Sequence, residues 1–140
     1  MNRKSIALPL ALLAAPVAMP LSARADEPLV CNIHALTDSE REHHLERGRK
    51  LLGAVVRTTE IPNGYEIAFD LARLTDSKGA PWCVVEVAEW VELEARCCPF
   101  LDFQIEVAGK GGAVKMRLTG RAANVKEFLR SEIPVLGKGA

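Results

Sequence analysis

Two stretches of alternating residues, each doubled back by a turn signal, constrain this chain more than any other feature. Residues 55–60 and 65–71 are rich in strand formers and flank Ile61-Pro62-Asn63-Gly64, where both Asn and Gly tolerate positive φ. In the second stretch Tyr65, Ile67 and Phe69 share one face and Glu66, Ala68 and Asp70 the other. Residues 100–107 and 113–119 repeat the arrangement around Ala108-Gly109-Lys110-Gly111-Gly112. There, Phe103, Ile105 and Val107 alternate with Asp102, Gln104 and Glu106, and Val114, Met116 and Leu118 with Lys115, Arg117 and Thr119. Two such hairpins call for an antiparallel sheet with one wet face and one apolar face that other elements must cover.

Three helical segments supply the cover. Thr37 and Glu40 have the spacing of a capping box, in which each side chain satisfies the other's orphan backbone donor, so a helix starts there and runs to about Gly53. Its surface is mostly charged, with Leu45 and Leu52 as a narrow apolar side, and His43 and His44 read as solvated. Pro81 suits the first turn of a second helix over residues 82–98. On it Val84, Val87, Ala88, Val91, Ala95 and Cys98 form one stripe, flanked by Glu86, Glu89, Glu92 and Glu94 as a solvated face, and Pro99 ends it. A third helix over 122–133 turns Val125, Phe128 and Leu129 inward and stops at Pro134. The order α-ββ-α-ββ-α, two helix–hairpin units, specifies an α+β domain: a four-stranded, mainly antiparallel sheet with helices packed on one face.

The first residues carry an address. Arg3 and Lys4 precede an apolar run from Ile6 to Leu21, and Ala23-Arg24-Ala25 follows as an A-x-A cleavage site, so residues 1–25 read as a signal peptide cut after Ala25. Interrupted by Pro9, Pro16 and Pro20, the run is shorter than the roughly 20 residues of a spanning helix. Val30 before Cys31 and the charged pair Asp26-Glu27 depart from a lipid-attachment signal. The expected layout is a lead-in over 26–36, a single domain over 37–134 and a flexible tail over 135–140, in a periplasmic or secreted protein without a membrane span. Cleavage removes Arg3, Lys4 and Arg24, taking the formal charge from zero to about −3. A mildly acidic chain without a basic block offers nucleic acid no electrostatic footprint.

Export places Cys31, Cys83, Cys97 and Cys98 where disulfides form. A continuous helix would hold Cys83 and Cys97 about 21 Å apart, beyond the roughly 7 Å that a bridge tolerates. Cys31, on a flexible lead-in, is the mobile partner, which favours Cys31–Cys97 or Cys31–Cys98, whereas an adjacent Cys97–Cys98 bridge would be strained and more easily reduced. Three readings of the pair Cys97-Cys98 stand open: packed core thiols, a structural disulfide, or thiolate ligands for a soft ion such as zinc, copper(I), mercury or a metalloid. Cys31-Asn32-Ile33-His34 adds a C-x-x-H spacing, so that Cys31, Cys97, Cys98 and His34 make a tetrahedral donor set. Neither C-x-x-C nor C-x-x-C-H occurs, and there is no P-loop, nucleophile elbow or H-E-x-x-H.

The segment Glu94-Ala95-Arg96-Cys97-Cys98-Pro99-Phe100-Leu101-Asp102-Phe103 resembles that of a family of small, largely uncharacterised bacterial domains. Cys31 before Ala35-Leu36-Thr37, Pro62-Asn63-Gly64-Tyr65 and Leu118-Thr119-Gly120 add to the likeness. The family accompanies metal-responsive regulators and heavy-metal resistance genes, so the resemblance implies soft-metal or metalloid binding, with Cys31, Cys97 and Cys98 as the cysteines carried over. Cys83 is an addition, and the leader is a departure from many relatives. The leading expectation is an exported protein that sequesters or transfers a soft metal ion, with no chemical step required. The alternatives are a disulfide-stabilised domain that binds an unknown protein partner, and a thiol redox protein using Cys97 as nucleophile with Arg96 favouring its thiolate.

Overall fold

The structure, a computed structural model, is described for residues 28–109 and 113–137; the expected signal peptide lies outside them. A four-stranded antiparallel sheet of β1 (Val55–Ile61), β2 (Gly64–Phe69), β3 (Leu101–Val107) and β4 (Val114–Gly120) is ordered β1-β2-β4-β3. Helices α1 (Asp38–Gly53), α2 (Val84–Cys97) and α3 (Val125–Glu132) pack with it. The α+β class and the α-ββ-α-ββ-α order are therefore as the patterning requires. The second strand of each hairpin lies in the middle, so β2 and β4 pair across the two units, with Tyr65 opposite Leu118, Ile67 opposite Met116 and Phe69 opposite Val114. Those six side chains are all buried and form the centre of the core. On the other face Glu66 reaches across to Arg117 at 2.9 Å and Lys115 at 3.5 Å, a cross-strand cluster on a wet surface.

The first turn is built differently from what its Asn-Gly pair suggests. Asn63 alone takes positive φ, at 59°, whereas Gly64 is already the first residue of β2. Glycine is required at 64 for proximity: a Cβ there would lie 1.9 Å from the Leu118 carbonyl oxygen. β4 therefore passes directly over the turn.

The helices also turn different faces inward. The Thr37 capping box forms as expected, with the Glu40 carboxylate accepting from the Thr37 N–H at 2.8 Å. Leu45 and Leu52, however, are exposed, and α1 buries His44 and Leu51. Gly48, between these two on the same face, lets Trp90 lie against the helix; a Cβ would stand 3.0 Å from Trp90 Nε1. Pro81 does not begin α2 but bridges to Thr75; Cys83 caps the helix, its N–H donating to Glu86 Oε2 at 2.8 Å. Ala88 and Ala95 are exposed, and the inward face of α2 runs through Val87, Trp90, Val91 and Glu94 to Cys97. After α3, residues Pro134–Gly137 form a short 3-10 helix with Leu136 buried, and the remainder of the expected tail lies outside the described residues.

Candidate functional site

The lead-in segment meets the C-terminal end of α2. Asn32 N–H donates to the Cys97 carbonyl at 2.8 Å, and Arg96 donates to the Ala35 carbonyl at 3.1 Å and to Glu40 Oε1 at 2.8 Å. The Arg96 guanidinium holds the Glu40 carboxyl down to about 2, helped by the Thr37 N–H and hydroxyl. This clamp seats Cys31 against Cys98, and the two are joined in a disulfide with Cα atoms 4.6 Å apart. Of the two bridges open from the sequence, the structure contains Cys31–Cys98. Cys98 lies just beyond the last helical residue, with φ −122° and ψ 69°, so its direction is not that of the helical stripe.

Glu94 sits one turn before Cys98 on α2, pointing inward. Its Oε1 lies 3.3 Å from Cys98 Sγ, and its Oε2 accepts a 2.6 Å hydrogen bond from Nε2 of His44 on α1. His44 is 5% exposed and stacks on Trp90, with ring centroids 5.4 Å apart. Its Nδ1 is buried without a hydrogen-bond partner among the described residues. Beside this chain of groups is a cavity of about 270 Å³ between α1, α2, α3 and the central strands. Its lining includes Cys31, His44, Trp90, Glu94 and Cys97 together with Phe69.

Each residue nominated from sequence has a definite place. Cys31 and Cys98 are bonded, and with Glu94 they form a group of three donors whose ligand atoms all lie within 4.8 Å of one another. Cys97 is 2% exposed, its thiol free and outside that trio. Burial pushes the Cys97 thiol up, and the Glu94 charge adds to this, outweighing the adjacent Arg96. Arg96 also pairs with Glu40 at 2.8 Å. His34 is exposed on the short 3-10 turn Ile33–Ala35 and does not join the donors. Cys83 is a free, exposed thiol at the other end of α2.

His44 and Glu94 were both expected on solvated surfaces and are instead the polar heart of the site. Spacing carries a trace of them. His44, Gly48 and Leu51 follow an i, i+4, i+7 row, and Glu94 stands seven residues after the fully buried Val87. A glycine and two titratable side chains hide that row from a search for apolar residues. Comparison with protein-family models, curated proteins and solved structures finds no match for the chain.

Proposed function

We propose that the chain is an exported soft-metal-binding protein whose reduced form holds the ion between Cys31, Cys98 and Glu94. The observation that carries this reading is the convergence of two sulfurs and a carboxylate within 4.8 Å at the edge of a cavity. A dithiol reductant converts the disulfide to two thiols and is itself oxidised to a disulfide. Zinc, copper(I) or mercury then displaces the two thiol protons to form two metal–sulfur bonds. Glu94 supplies an oxygen, and His44, donating to the far side of that carboxylate, orients it as supporting carboxylate–histidine pairs do around metals. The donor set thus replaces the expected His34 and Cys97 with Glu94.

A second reading is a structural disulfide that secures the lead-in segment of a partner-binding domain, and it is favoured by the complete burial of Cys98. One experiment separates the two. Protein recovered from the periplasm should begin at Asp26 by intact mass. After reduction, it should take up one equivalent of Cu(I), Zn(II) or Hg(II) with a thiolate-to-metal absorption band. Cys31→Ser and Cys98→Ser should abolish uptake and Glu94→Gln weaken it, while Cys97→Ser and His34→Ala retain it. No uptake by the reduced protein would leave the structural disulfide; uptake that survives Cys98→Ser but not Cys97→Ser would assign the ion to the wrong sulfur.

A further inference from the structure

The two ends of the Cys31–Cys98 disulfide differ in access. Cys31 is partly exposed and lines the cavity, whereas Cys98 is 0% exposed. Exchange needs a thiolate to reach one sulfur of a bridge, so Cys31 Sγ is the one that a thiol from outside the folded chain can meet. On the buried side, Glu94 Oε1 stands 3.3 Å from Cys98 Sγ. A disulfide sulfur has no hydrogen to give, so that oxygen gains a donor from Cys98 only when the bridge opens and the sulfur becomes a thiol. The lead-in is also held independently of the bridge. Asn32 N–H donates to the Cys97 carbonyl, Arg96 donates to the Ala35 carbonyl, Leu36 is buried, and Leu29 and Ile33 pack against the core. Opening the bridge therefore frees two sulfurs without releasing the segment that carries one of them, and both stay placed to close again.

We propose that this disulfide is a thiol–disulfide exchange site that oxidises a dithiol, with Cys31 as the sulfur attacked and Cys98 as the buried leaving sulfur. The first thiolate of the dithiol bonds to Cys31 Sγ; the Cys31–Cys98 bond breaks, and Cys98 leaves with its electron pair and takes up a proton. The second thiolate then attacks the dithiol's own sulfur in the mixed disulfide. That closes the dithiol's disulfide and releases Cys31, which takes up the second proton. Two electrons pass from the dithiol to the protein, and the two protons lost by the dithiol match the two gained. The free thiol of Cys97, 2% exposed, takes no part, so the reacting sulfur differs from the Cys97 nucleophile expected from the sequence. The activity goes beyond metal binding and requires no metal. Failure of metal uptake leaves it intact, and if exchange fails, protein reduced in denaturant and refolded still tests the metal reading.

The test uses the oxidised protein with a chelator present. Sulfite, a small nucleophile, leaves an S-sulfonate on the sulfur it attacks and frees the other as a thiol; acid quenching, alkylation and peptide mass mapping tell the two apart. The expected result is S-sulfonate on Cys31 and alkylated Cys98, favoured about tenfold or more over the reverse. Dithiothreitol should reduce the native protein at a rate proportional to its concentration and yield one equivalent of its own cyclic disulfide. Low concentrations of urea should barely alter that rate, whereas a bridge reached only by unfolding would be reduced about tenfold faster per molar urea. Cys97→Ser should react as the unaltered protein does. S-sulfonate on Cys98 or shared equally, a steep urea dependence, or loss of reduction in Cys97→Ser overturns the proposal. Should Cys97→Ser fail to fold, the sulfite mapping and the urea dependence of the unaltered protein decide alone.

Discussion

Replacing Cys31 by Ser opens the disulfide at its more accessible end and leaves the packed Cys98 in place. The bridge joins residues 67 apart in sequence. Closing a loop of that length restricts the unfolded chain by about 4 kcal/mol at 25 °C in the chain-entropy treatment. That is a large share of the roughly 5–15 kcal/mol by which a domain is stable. With an unfolding entropy of about 2 cal/mol/K per residue, the loss corresponds to a fall in Tm of roughly 15 °C. Urea titrations of oxidised wild type and Cys31→Ser, followed by tryptophan fluorescence, measure it. Free energies rather than midpoints must be compared, because an uncrosslinked unfolded chain exposes more surface and raises the m-value. Dithiol-reduced wild type should match Cys31→Ser, and Cys83→Ser, at an exposed free thiol, should stay within about 0.5 kcal/mol of wild type. A difference below about 1 kcal/mol, with the bridge verified by mass, would refute the loop-closure reasoning.

Four further outcomes follow from particular contacts. Reduced wild type, destabilised by loss of the bridge, should regain about 2.7 kcal/mol when a bound soft metal is present at a hundredfold over its Kd, as read by denaturant titration; Cys98→Ser should gain nothing. Gly64→Ala drives a methyl into the Leu118 carbonyl and should cost about 3 kcal/mol or prevent folding, whereas Asn63→Gly at the positive-φ position should change stability by less than about 1 kcal/mol, both measured by thermal unfolding. Leu51→Ala should cost about 2–5 kcal/mol, while Leu45→Gln and Leu52→Gln stay near wild type; a reversed order in urea would restore the expected apolar side of α1. Glu40 titrates near 2 in the folded chain against an ordinary 4.5. The stability it contributes is therefore complete above 4.5 and lost as pH falls from there toward 2. Acid titrations of wild type and Glu40→Gln should converge across that interval, and a constant gap would exclude the Arg96 clamp as its source.

Local chemistry alone determined most of the framework. Alternation in residues 65–71 and 113–119 selects the buried face of each strand because side chains alternate strictly across a sheet. The Thr37–Glu40 box sets where α1 starts because it satisfies backbone donors within one turn. Helix length excludes a Cys83–Cys97 bridge, the lead-in segment makes Cys31 the mobile partner, and the Cys31–Cys98 bridge agrees with both.

Tertiary structure decided the rest, and each case depends on a neighbour distant in sequence. Leu45 and Leu52 have the composition of a core face, yet Gly48 lets Trp90 approach on the neighbouring row, so His44 and Leu51 go inside instead. Glu94 resembles its solvated neighbours Glu89 and Glu92. It is drawn inward because His44, 50 residues earlier, offers it a hydrogen bond that offsets desolvation. Between Cys97 and Cys98 the choice turned on the chain leaving helical geometry at 98 and on Arg96 anchoring the lead-in to Glu40 and Ala35. Residue type and spacing carry information over a few turns, and so they specified strands, caps and the candidate cysteines. Which polar groups are buried is settled by pairing across the fold, and so the His44–Glu94 pair and the cavity beside it emerged only when α1 and α2 were packed together.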